Sequence, residues 1–496
     1  MTEALPVGHT NGFRKLWIEN QSVEGAGGVI PIINPATEET IAEASQGAKA
    51  DAERAVQAAK KAFVNWRKVP VPERTAMLHE VARRFRERSE QIATELTLET
   101  GRTIVKNRGY VEWSAQCFDY YAELARHHRG RVIPSPESGQ LSLVLKVPLG
   151  VVAAIVPWNY PLLLLAWKLA PALAAGNTVV VKPASYTPWT TLGFQEIFDH
   201  LPPGVLNIVT GSGREVGETL VTHPDVRMVA FTGSTEVGQR IIRMAADDVK
   251  HLHLELGGKD PLIVCEDTDL EAASRAAVWG GFLNAGQVCT SIERVYVEEP
   301  IYKPFMDRVV GLTEKLVVGP GIDPETEVTP MIRPSEREAV DKQVQEAVKA
   351  GAELLTGGQV PAGKTKGYYY APTVLTNVTE EMEIMREETF GPVLPIAPVA
   401  DFAEAMRRAN ASHYGLGATL FTNDPGKVQQ YMEEIEAGNV WVNDPLIDNV
   451  AGPFGGMKRS GIGRELGLEG FEDFTETKHV HWEIKGGVKP WWYPFE

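Results

Sequence analysis

Two hydrophobic patterns follow one another along the chain. In the first hundred residues, apolar positions recur three and four apart with charges between them, which predicts helices over residues 50–66 and 72–99. The longest apolar stretch, residues 162–175, contains Lys168 and Pro171. It is shorter than the roughly 20 residues that span a bilayer, so we expect a buried helix there.

From residue 151 onwards, short apolar runs alternate with helix-like segments. The runs that predict the first set of strands are residues 151–156, 178–181, 205–209, 228–231 and 252–256. The alternation predicts an α/β fold with a doubly wound parallel sheet, which binds its ligands beyond the carboxyl ends of the strands. A second α/β unit is predicted from strands at residues 262–264, 294–297, 393–399, 418–422 and 439–443.

The composition limits the class of protein. With 43% hydrophobic and 23% charged residues over 496 positions, we expect a globular chain of two or three domains. The net charge of −16 argues against a nucleic-acid partner. The N-terminal sequence has no basic region followed by an apolar one, and three cysteines do not make a disulfide framework. We therefore expect a cytoplasmic protein with no membrane partner.

Cys289 follows a loop of small and polar residues. A lone cysteine is most often a small buried hydrophobe, and we interpret Cys117 and Cys265 in that way. The Gly, Gln and Thr residues around Cys289 do not describe an apolar core. They favour a nucleophilic cysteine, which is usually a thiolate in an electropositive loop.

Glu255 ends a strictly alternating segment that places His251, His253 and Glu255 on one face of a strand. A solvated polar face would explain all three residues. Glu255 also stands at the carboxyl end of its strand, before Gly257 and Gly258, where a general base is expected in such a sheet. Both interpretations fit the sequence.

Two glycine-rich turns, residues 211–217 and 231–238, each follow a predicted strand and open a helix. Their backbone N–H groups can bind phosphate, but neither has the G-x-G-x-x-G spacing, so either could be only a tight turn. Asn159 follows the first strand of this unit. Its amide could stabilise an oxyanion or cap the next helix.

Seven motifs make nearly the whole chain resemble the aldehyde dehydrogenase superfamily. In chain order they are PWNYPL at Pro157, KPAS at Lys182, FTGSTEVG at Phe231, ELGGK at Glu255, GQVC ending at Cys289, EETFGPV at Glu387 and PFGGMKRSGIGRELG at Pro453. The resemblance is to the hydrolytic branch, because the branch that uses coenzyme A lacks the glutamate at the position of Glu255. It implies oxidation of a small-molecule aldehyde to its carboxylic acid with NAD or NADP.

The resemblance also implies three structural parts and a homodimer or homotetramer. A dinucleotide-binding domain would comprise residues 1–125 and 148–257, a catalytic domain residues 258–459, and a small β element for oligomerisation residues 126–147 and 473–496. The pattern after Phe474 alternates and then becomes aromatic, ending with Phe495. Such a terminal strand is a poor monomer surface and a good subunit contact.

Site residues are carried over from the family position by position. Cys289 matches the nucleophile, Glu255 the general base, and Asn159 an oxyanion donor together with the backbone N–H of Cys289. Lys168 and Glu465 match positions that support proton transfer from the base, and no metal is implied. The cofactor positions are Val156, Trp158, Lys182, Ser185, Gly211, Gly217, Phe231, Gly233, Ser234, Val237, Leu256, Gly257, Glu388 and Phe390. The substrate-funnel positions are Trp113, Tyr160, Leu163, Trp167, Leu283, Val288, Thr290, Leu446, Asp448 and Phe454.

Two departures from the family pattern concern specificity. Ser185 stands where NAD-preferring relatives usually have glutamate, so we expect NADP to be accepted. Tyr160 and Trp167 match half of an aromatic cage for quaternary ammonium aldehydes, but Leu283 stands where that cage needs tryptophan. We therefore expect an aromatic or medium-chain aldehyde.

The sequence leaves two alternatives to an aldehyde dehydrogenase with an apolar substrate. A semialdehyde dehydrogenase would need a basic residue in the funnel, and Arg294 is the only nearby candidate in the sequence. A non-catalytic structural relative should have lost Cys289 or Glu255, and both are present.

Overall fold

The structure is a computed structural model in which residues 12–494 are described. Some of the expectations concern positions outside these residues. They are the expectation for the N-terminal segment, the outer domain limits at residues 1 and 496, and the assignment of Phe495 to the aromatic tail. The strands are β1 (Phe13–Arg14), β2 (Leu16–Ile18), β3 (Gln21–Val23), β4 (Gly28–Ile33), β5 (Thr40–Gln46), β6 (Arg131–Ile133), β7 (Gln140–Pro148), β8 (Val151–Ile155), β9 (Thr178–Lys182), β10 (Leu206–Ile208), β11 (Val226–Thr232), β12 (His251–Glu255), β13 (Asp260–Val264), β14 (Ile292–Glu298), β15 (Glu353–Thr356), β16 (Thr373–Thr376), β17 (Val393–Val399), β18 (Gly417–Phe421), β19 (Asn439–Val442), β20 (Gly461–Ile462) and β21 (Thr475–Glu483).

The helices cover the faces of the sheets formed by these strands. They are α1 (Lys49–Trp66), α2 (Val71–Glu87), α3 (Ser89–Thr100), α4 (Ile104–His127), α5 (Leu163–Ala175), α6 (Trp189–Leu192), α7 (Gln195–Phe198), α8 (Glu218–Thr222), α9 (Thr235–Ala245), α10 (Leu270–Phe282), α11 (Glu299–Thr313), α12 (Pro334–Lys349), α13 (Glu383–Arg386), α14 (Phe402–Asn410), α15 (Pro425–Glu434) and α16 (Gly467–Glu472). None of the described helices is both long enough and apolar enough to cross a membrane.

The first sheet has the strand order β20-β12-β11-β8-β9-β10-β2-β3. Strands β8 to β12 pair in parallel, and β20, β2 and β3 are antiparallel additions at the edges. Val152 and Ala154 of β8 belong to one hydrophobic cluster, whereas Val151, Ala153 and Ile155 belong to another. Both faces are therefore packed, and the prediction of a doubly wound parallel sheet is confirmed.

The second sheet has the order β15-β16-β17-β14-β13-β18-β19 and is parallel from β16 to β19. It has its own hydrophobic core. A third, antiparallel sheet has the order β21-β7-β6, and a fourth has the order β1-β5-β4. In the third sheet, β21 pairs along its whole length with β7, from Thr475 opposite Pro148 to Glu483 opposite Gln140.

The first part of the chain departs from the predicted helices. The helix expected over residues 72–99 is two helices, because Arg88 between them has φ −107° and ψ 15° and breaks the hydrogen-bonded run. Strands β1 to β5 were not predicted from the hydrophobic pattern, and helix α4 was expected only around Cys117. The buried helix expected at residues 162–175 is α5, in which every side chain is buried, including Lys168 and Pro171.

Candidate active site

The candidate site lies where the two large sheets approach each other end to end. The first sheet contributes the residues that follow the carboxyl ends of β8 to β12. The second sheet contributes residues that precede its strands: Cys289 comes before β14, and Phe390 comes before β17. The rule that ligands bind at carboxyl ends therefore describes only the first sheet.

Cys289 lies on a tightly held loop between α10 and β14. Asn284 and Ala285 turn the chain with left-handed φ values of 52° and 56°. Gln287 fixes the loop, because its Nε2 donates to the carbonyl of Asn284 at 2.9 Å and its Oε1 accepts from the N–H of Ile332 at 2.9 Å. The thiol is half-buried, whereas Cys117 and Cys265 are fully buried.

The surroundings of Cys289 are acidic, so the expectation of a thiolate in an electropositive loop is wrong. Burial raises the pKa of Cys289 well above its usual value, and the charges of Glu255, Asp260, Glu388 and Asp448 raise it further. A raised pKa favours the thiol form of this side chain over the thiolate. It needs a base or an added positive charge nearby to become a nucleophile.

Asn159 connects the first sheet to the cysteine loop. Its side chain is 4% exposed, and its Nδ2 donates to the carbonyl of Gln287 at 3.1 Å. Helix α5 has Leu162 at its N-cap without a side-chain cap, so the capping interpretation of Asn159 is excluded. This hydrogen bond holds the amide of Asn159 against the carbonyl of Gln287, which lies two residues before Cys289 in the loop.

Glu255 ends β12 as a buried carboxyl group. It is 3% exposed, and neither of its carboxylate oxygens has a hydrogen-bond partner. Burial raises its pKa well above the usual value, and the charge of Glu465 adds to this effect. The solvated-face interpretation is wrong for this strand, because His253 is fully buried beside Glu255 and only His251 is partly exposed, where it contacts Glu476.

Lys168 and Glu465 form a buried ion pair next to Glu255. Lys168 Nζ lies 2.5 Å from Glu465 Oε1 and donates to Thr232 Oγ1 at 2.6 Å. Both charged side chains are essentially unexposed. The structure therefore brings these two predicted residues together with the carboxyl group of Glu255, whose pKa Glu465 raises and Lys168 lowers.

The predicted cofactor residues lie along the ends of β8 to β12. Gly211 has φ 137°, and a Cβ there would lie 2.5 Å from Val216 Cγ2, while a Cβ on Gly233 would lie 2.5 Å from the ring of Phe231. Ser234 caps α9 by accepting from the N–H of Val237, which leaves other N–H groups of this helix start available to an anion. This donor set fits the pyrophosphate of a dinucleotide.

The two ends of the predicted cofactor site differ in character. At one end, Lys182 is buried and its pKa is lowered to about 8 by that burial, and Ser185 Oγ donates to the carbonyl of Gly211 at 3.2 Å. At the other end, the rings of Trp158 and Phe390 meet edge to face at 5.4 Å. There Glu388 accepts from the N–H of Gly258 at 3.1 Å, and burial raises its pKa to about 8.

The other predicted cofactor positions lie near the strand ends and side chains described above. Among the cofactor positions, Val156 follows β8, Gly217 lies beside the stem of Lys182, and a Cβ on Gly257, which follows Leu256, would lie 2.7 Å from Glu388 Oε2.

An aromatic wall leads towards Cys289. The ring of Trp167 lies 5.7 Å from that of Trp113 and 5.0 Å from that of Phe454. The remaining apolar funnel residues pack in the same cluster as these rings and Cys289; they are Tyr160, Leu163, Leu283, Val288 and Leu446. Thr290 is buried beside the cysteine, and burial raises the pKa of Asp448 to about 7.

Two arginines near the site have different surroundings. Arg294, the predicted candidate for a substrate carboxylate, donates to the carbonyls of Lys259, Arg408 and Ala409, so its guanidinium is occupied by the protein. Arg102 was not among the predicted site residues because it lies in no motif. Its guanidinium lies 3.8 Å from the ring of Tyr160 and donates to the carbonyl of Asn159 at 3.2 Å.

A cavity of about 640 Å³ borders the funnel at Leu283. Arg102 forms part of its wall, and Lys106 and Lys315 lie at its polar side. Its apolar walls come mainly from α10 and from the end of α11.

Comparisons with known proteins agree with this geometry. The model of the aldehyde dehydrogenase family matches residues 21–480. Betaine aldehyde dehydrogenase of Bacillus subtilis is 39% identical over 466 residues, covering 93% of this chain and 95% of that protein. 3-Sulfolactaldehyde dehydrogenase of Pseudomonas putida is 38% identical over 475 residues, covering 95% and 96%. A crystal structure of betaine aldehyde dehydrogenase from Staphylococcus aureus in complex with NAD+ superposes with a TM-score of 0.95 at 37% identity, covering 97% and 96%.

Proposed function

The chain belongs to the aldehyde dehydrogenase family, and on that premise we propose that Cys289 and Glu255 oxidise an aldehyde to its acid through a cysteine-bound thioester. The observation that carries the proposal is the convergence of a thiol, a buried carboxyl group and the amide of Asn159 from three separate elements. Because Cys289 and Glu255 are both in place, a non-catalytic relative is the weaker interpretation.

The roles follow from the chemistry of the groups. The sulfur of Cys289 adds to the carbonyl carbon as its proton leaves to Glu255, and Asn159 and the N–H of Cys289 donate to the oxyanion. Losing one such donor typically costs about 3 kcal/mol of barrier. The bound cofactor supplies the acceptor for the hydride. Glu255, having passed its first proton on, takes another from the water that adds to the thioester, and collapse of that adduct releases the acid and the thiol.

Which nicotinamide cofactor is preferred is part of the proposal. Ser185 and Lys182 would contact the adenosine ribose or its 2′-phosphate, Ser234 and Gly233 the pyrophosphate, and Glu388 and Phe390 the nicotinamide end. No carboxylate stands at residue 185 to repel a 2′-phosphate. We therefore expect NADP to be used as well as NAD.

The funnel supports an aldehyde with an apolar body, aromatic or of medium chain length. Trp113, Trp167 and Phe454 form a continuous wall of rings, and such a wall binds chiefly by burying apolar surface. The relatives are named for betaine aldehyde and for 3-sulfolactaldehyde, so the comparisons do not support an aromatic substrate, and the apolar assignment rests on the rings of the funnel alone.

A second candidate is an aldehyde with an ammonium group at its far end. Asp448 is one of the predicted funnel positions, and it is among the acidic groups whose charges raise the pKa of Cys289. An ammonium group would pair with the ionised carboxylate and stack on the rings. Since the pKa of Asp448 is about 7, this preference should grow as the pH rises through 7.

An aldehyde panel assayed with NAD and with NADP tests both candidates. Hexanal and benzaldehyde should have higher kcat/KM than 4-aminobutanal if the apolar assignment is right. Asp448→Asn should then leave hexanal turnover within about twofold, and a tenfold or greater loss confined to 4-aminobutanal would favour the ammonium candidate. Formation of no acid from any aldehyde would contradict the proposed function.

We further propose the domain division and assembly implied by the family. The first sheet would belong to the dinucleotide-binding domain and the second sheet to the catalytic domain. The sheet β21-β7-β6 would join subunits into a homodimer or homotetramer, because β21 is an edge strand with exposed side chains. The compartment would be a reducing one, the cytoplasm, because the reaction requires a free thiol at Cys289.

A further inference from the structure

We propose that His253 and Asp473 carry the proton of thioester hydrolysis from Glu255 to solvent. His253 Nε2 lies 4.0 Å from Glu255 Oε1, and His253 Nδ1 lies 3.0 Å from Asp473 Oδ2. His253 is fully buried, whereas the side chain of Asp473 is 35% exposed. These three groups therefore form a line from the buried base to the surface. The inference rests on the proposed function and concerns residues other than the pair Lys168 and Glu465.

Unpaired polar atoms mark the inner end of this line. His253 Nε2 and both oxygens of Glu255 are buried without a hydrogen-bond partner. Buried polar atoms are nearly always paired, and exceptions are concentrated where a group changes partner during function. A rotation of the Glu255 side chain or a single bridging water closes the 4.0 Å gap.

The outer end of the line is held firmly. Asp473 Oδ2 also accepts from the N–H of Arg464 at 2.9 Å, and the ring of Phe474 stacks on that of His253. A Cβ on Gly463 would lie 2.9 Å from His253 Nδ1 and 2.5 Å from Asp473 Oδ2. The absence of a side chain at residue 463 therefore leaves room for the imidazole and the carboxylate to meet.

Acidic and basic groups both surround His253. The charged and titratable groups that face it or its partners are Glu255, Glu465, Asp473, Lys168, Arg464, Tyr121 and Cys117. Although burial opposes it, the hydrogen bond with His253 keeps the pKa of Asp473 below its usual value. An ionised Asp473 stabilises an imidazolium beside it.

The sequence of transfers is balanced and involves no redox change. As water oxygen bonds to the thioester carbon, one water proton passes to Glu255. The C–S bond then breaks as the carbonyl re-forms, and the second water proton passes to the leaving sulfur, so that carboxylate and thiol are released. The first water proton moves from the Glu255 carboxyl group to His253 Nε2, while the proton on Nδ1 moves to Asp473 and from there to solvent. His253 acts through Glu255 and touches neither the aldehyde nor the cofactor, so it is a positioning residue for the proton.

The test separates acylation from hydrolysis. p-Nitrophenyl acetate would acylate Cys289 without cofactor, and release of p-nitrophenol followed by acetate gives the two rates in one protein. In His253→Gln and Asp473→Asn we expect acylation within about twofold of the wild type and deacylation slowed by roughly 10- to 100-fold, with a larger solvent deuterium isotope effect. The double variant should be no slower than the slower single variant. His251→Gln, on the same strand but partly exposed, is the matched control and should behave as wild type.

Two results would overturn the inference. One is wild-type deacylation in His253→Gln. The other is an equal loss of acylation and deacylation with an unchanged isotope effect, which would indicate a structural role only. A wild-type protein that is never acylated would instead contradict the proposed function of Cys289.

Discussion

At the scale of single residues, the candidate site is controlled by groups whose pKa values are raised together. Burial raises the pKa values of Cys289 and Glu255, and each also feels the negative charges of neighbouring carboxylates. A proton removed from the thiol therefore moves to a carboxylate made more basic by the same environment. The pair is matched for proton exchange even though neither group is ionised readily on its own.

Replacement of the thiol should separate chemistry from packing. We expect Cys289→Ala to lose at least about 10⁴-fold in kcat with any aldehyde, because no other group in the funnel can form the thioester. Binding of the reduced cofactor, followed by fluorescence, should be retained. Cys117→Ala and Cys265→Ala are the controls, since both thiols are buried in hydrophobic clusters and should affect thermal stability alone. Turnover by Cys289→Ala at the wild-type rate would contradict the assignment.

Cofactor choice should depend on Ser185. A glutamate there would repel the 2′-phosphate of NADP by roughly 1 to 4 kcal/mol at a separation of about 4 Å, which is about fivefold to nearly a thousandfold in kcat/KM. We therefore expect Ser185→Glu to shift the ratio of NADP to NAD kcat/KM towards NAD by about 10- to 100-fold. Ser212→Glu, at the start of the next turn, controls for added charge. An NAD preference of a thousandfold that Ser185→Glu leaves unchanged would place the discrimination elsewhere.

At the scale of elements, β14 organises the loop that carries Glu388 and Phe390. Glu293, at the beginning of β14, accepts from Lys259 Nζ at 2.6 Å and from the N–H groups of Thr389 and Phe390 at 2.7 and 2.9 Å. A buried carboxylate thus holds a strand, the segment after Glu255 and the cofactor loop in one arrangement.

Glu293→Gln should loosen that loop. Its amide nitrogen cannot accept a hydrogen bond, and Lys259 is left without its buried counter-charge, so roughly 1 to 3 kcal/mol of loop stabilisation is lost. We expect the KM for the cofactor to rise about tenfold or more, with little change in the KM for the aldehyde. Glu298, at the other end of β14, is also buried and accepts from Lys427 Nζ and from the backbone N–H of Glu266, so Glu298→Gln controls for loss of stability. Equal cofactor KM values in the two variants would contradict this role for Glu293.

The elements also differ in how far the sequence predicts them. Strands β8 to β12 are buried on both faces, so each reads as a continuous apolar run, and all were predicted close to their bounds. Helix α4 was predicted only around Cys117, because polar residues such as Asn107 and Ser114 are among those that it buries. The alternation of His253 and Glu255 was visible, but their burial comes from Glu465 and Phe474, which lie more than two hundred residues away.

The active-site residues were predictable for a different reason. Cys289, Glu255 and Asn159 lie in motifs, and the structure brings all three to one place. Arg102 and Glu293 lie in no motif, and their contacts depend on how the two sheets face each other. The sign of the charge around Cys289 could not be predicted from the sequence either, because Asp260 and Asp448 come close to Cys289 only in the folded chain.

At the scale of the whole molecule, the third sheet has, within the described residues, an unpaired edge at β21 to which another chain can bind. Strand β21 pairs with β7 on one side only, and Trp482, Ile484, Trp491 and Trp492 expose more than half of their surface. An exposed strand edge with aromatic residues beside it is typical of a subunit contact.

Two truncations should separate the strand from the aromatic segment. We expect removal of residues 478–496 to abolish the native oligomer or soluble folding, because it deletes most of β21. Removal of residues 485–496 retains β21 and should weaken the oligomer less, shifting its dissociation to higher protein concentration. Light scattering after size-exclusion chromatography measures the mass. The native oligomeric mass in the shorter chain would count against β21 as an assembly element.

The acidic surroundings of Cys289 also affect how fast oxidants react with its sulfur in the free protein. Peroxides attack thiolates far faster than thiols, and sulfinic and sulfonic acids at such a position are irreversible losses. Burial and the neighbouring acidic groups raise the pKa of Cys289, which favours the less reactive thiol over the thiolate in the free protein. The same acidic groups therefore protect the thiol of the free protein from oxidation and act on it during catalysis. The free protein and the protein with bound substrate and cofactor differ in whether the site is occupied.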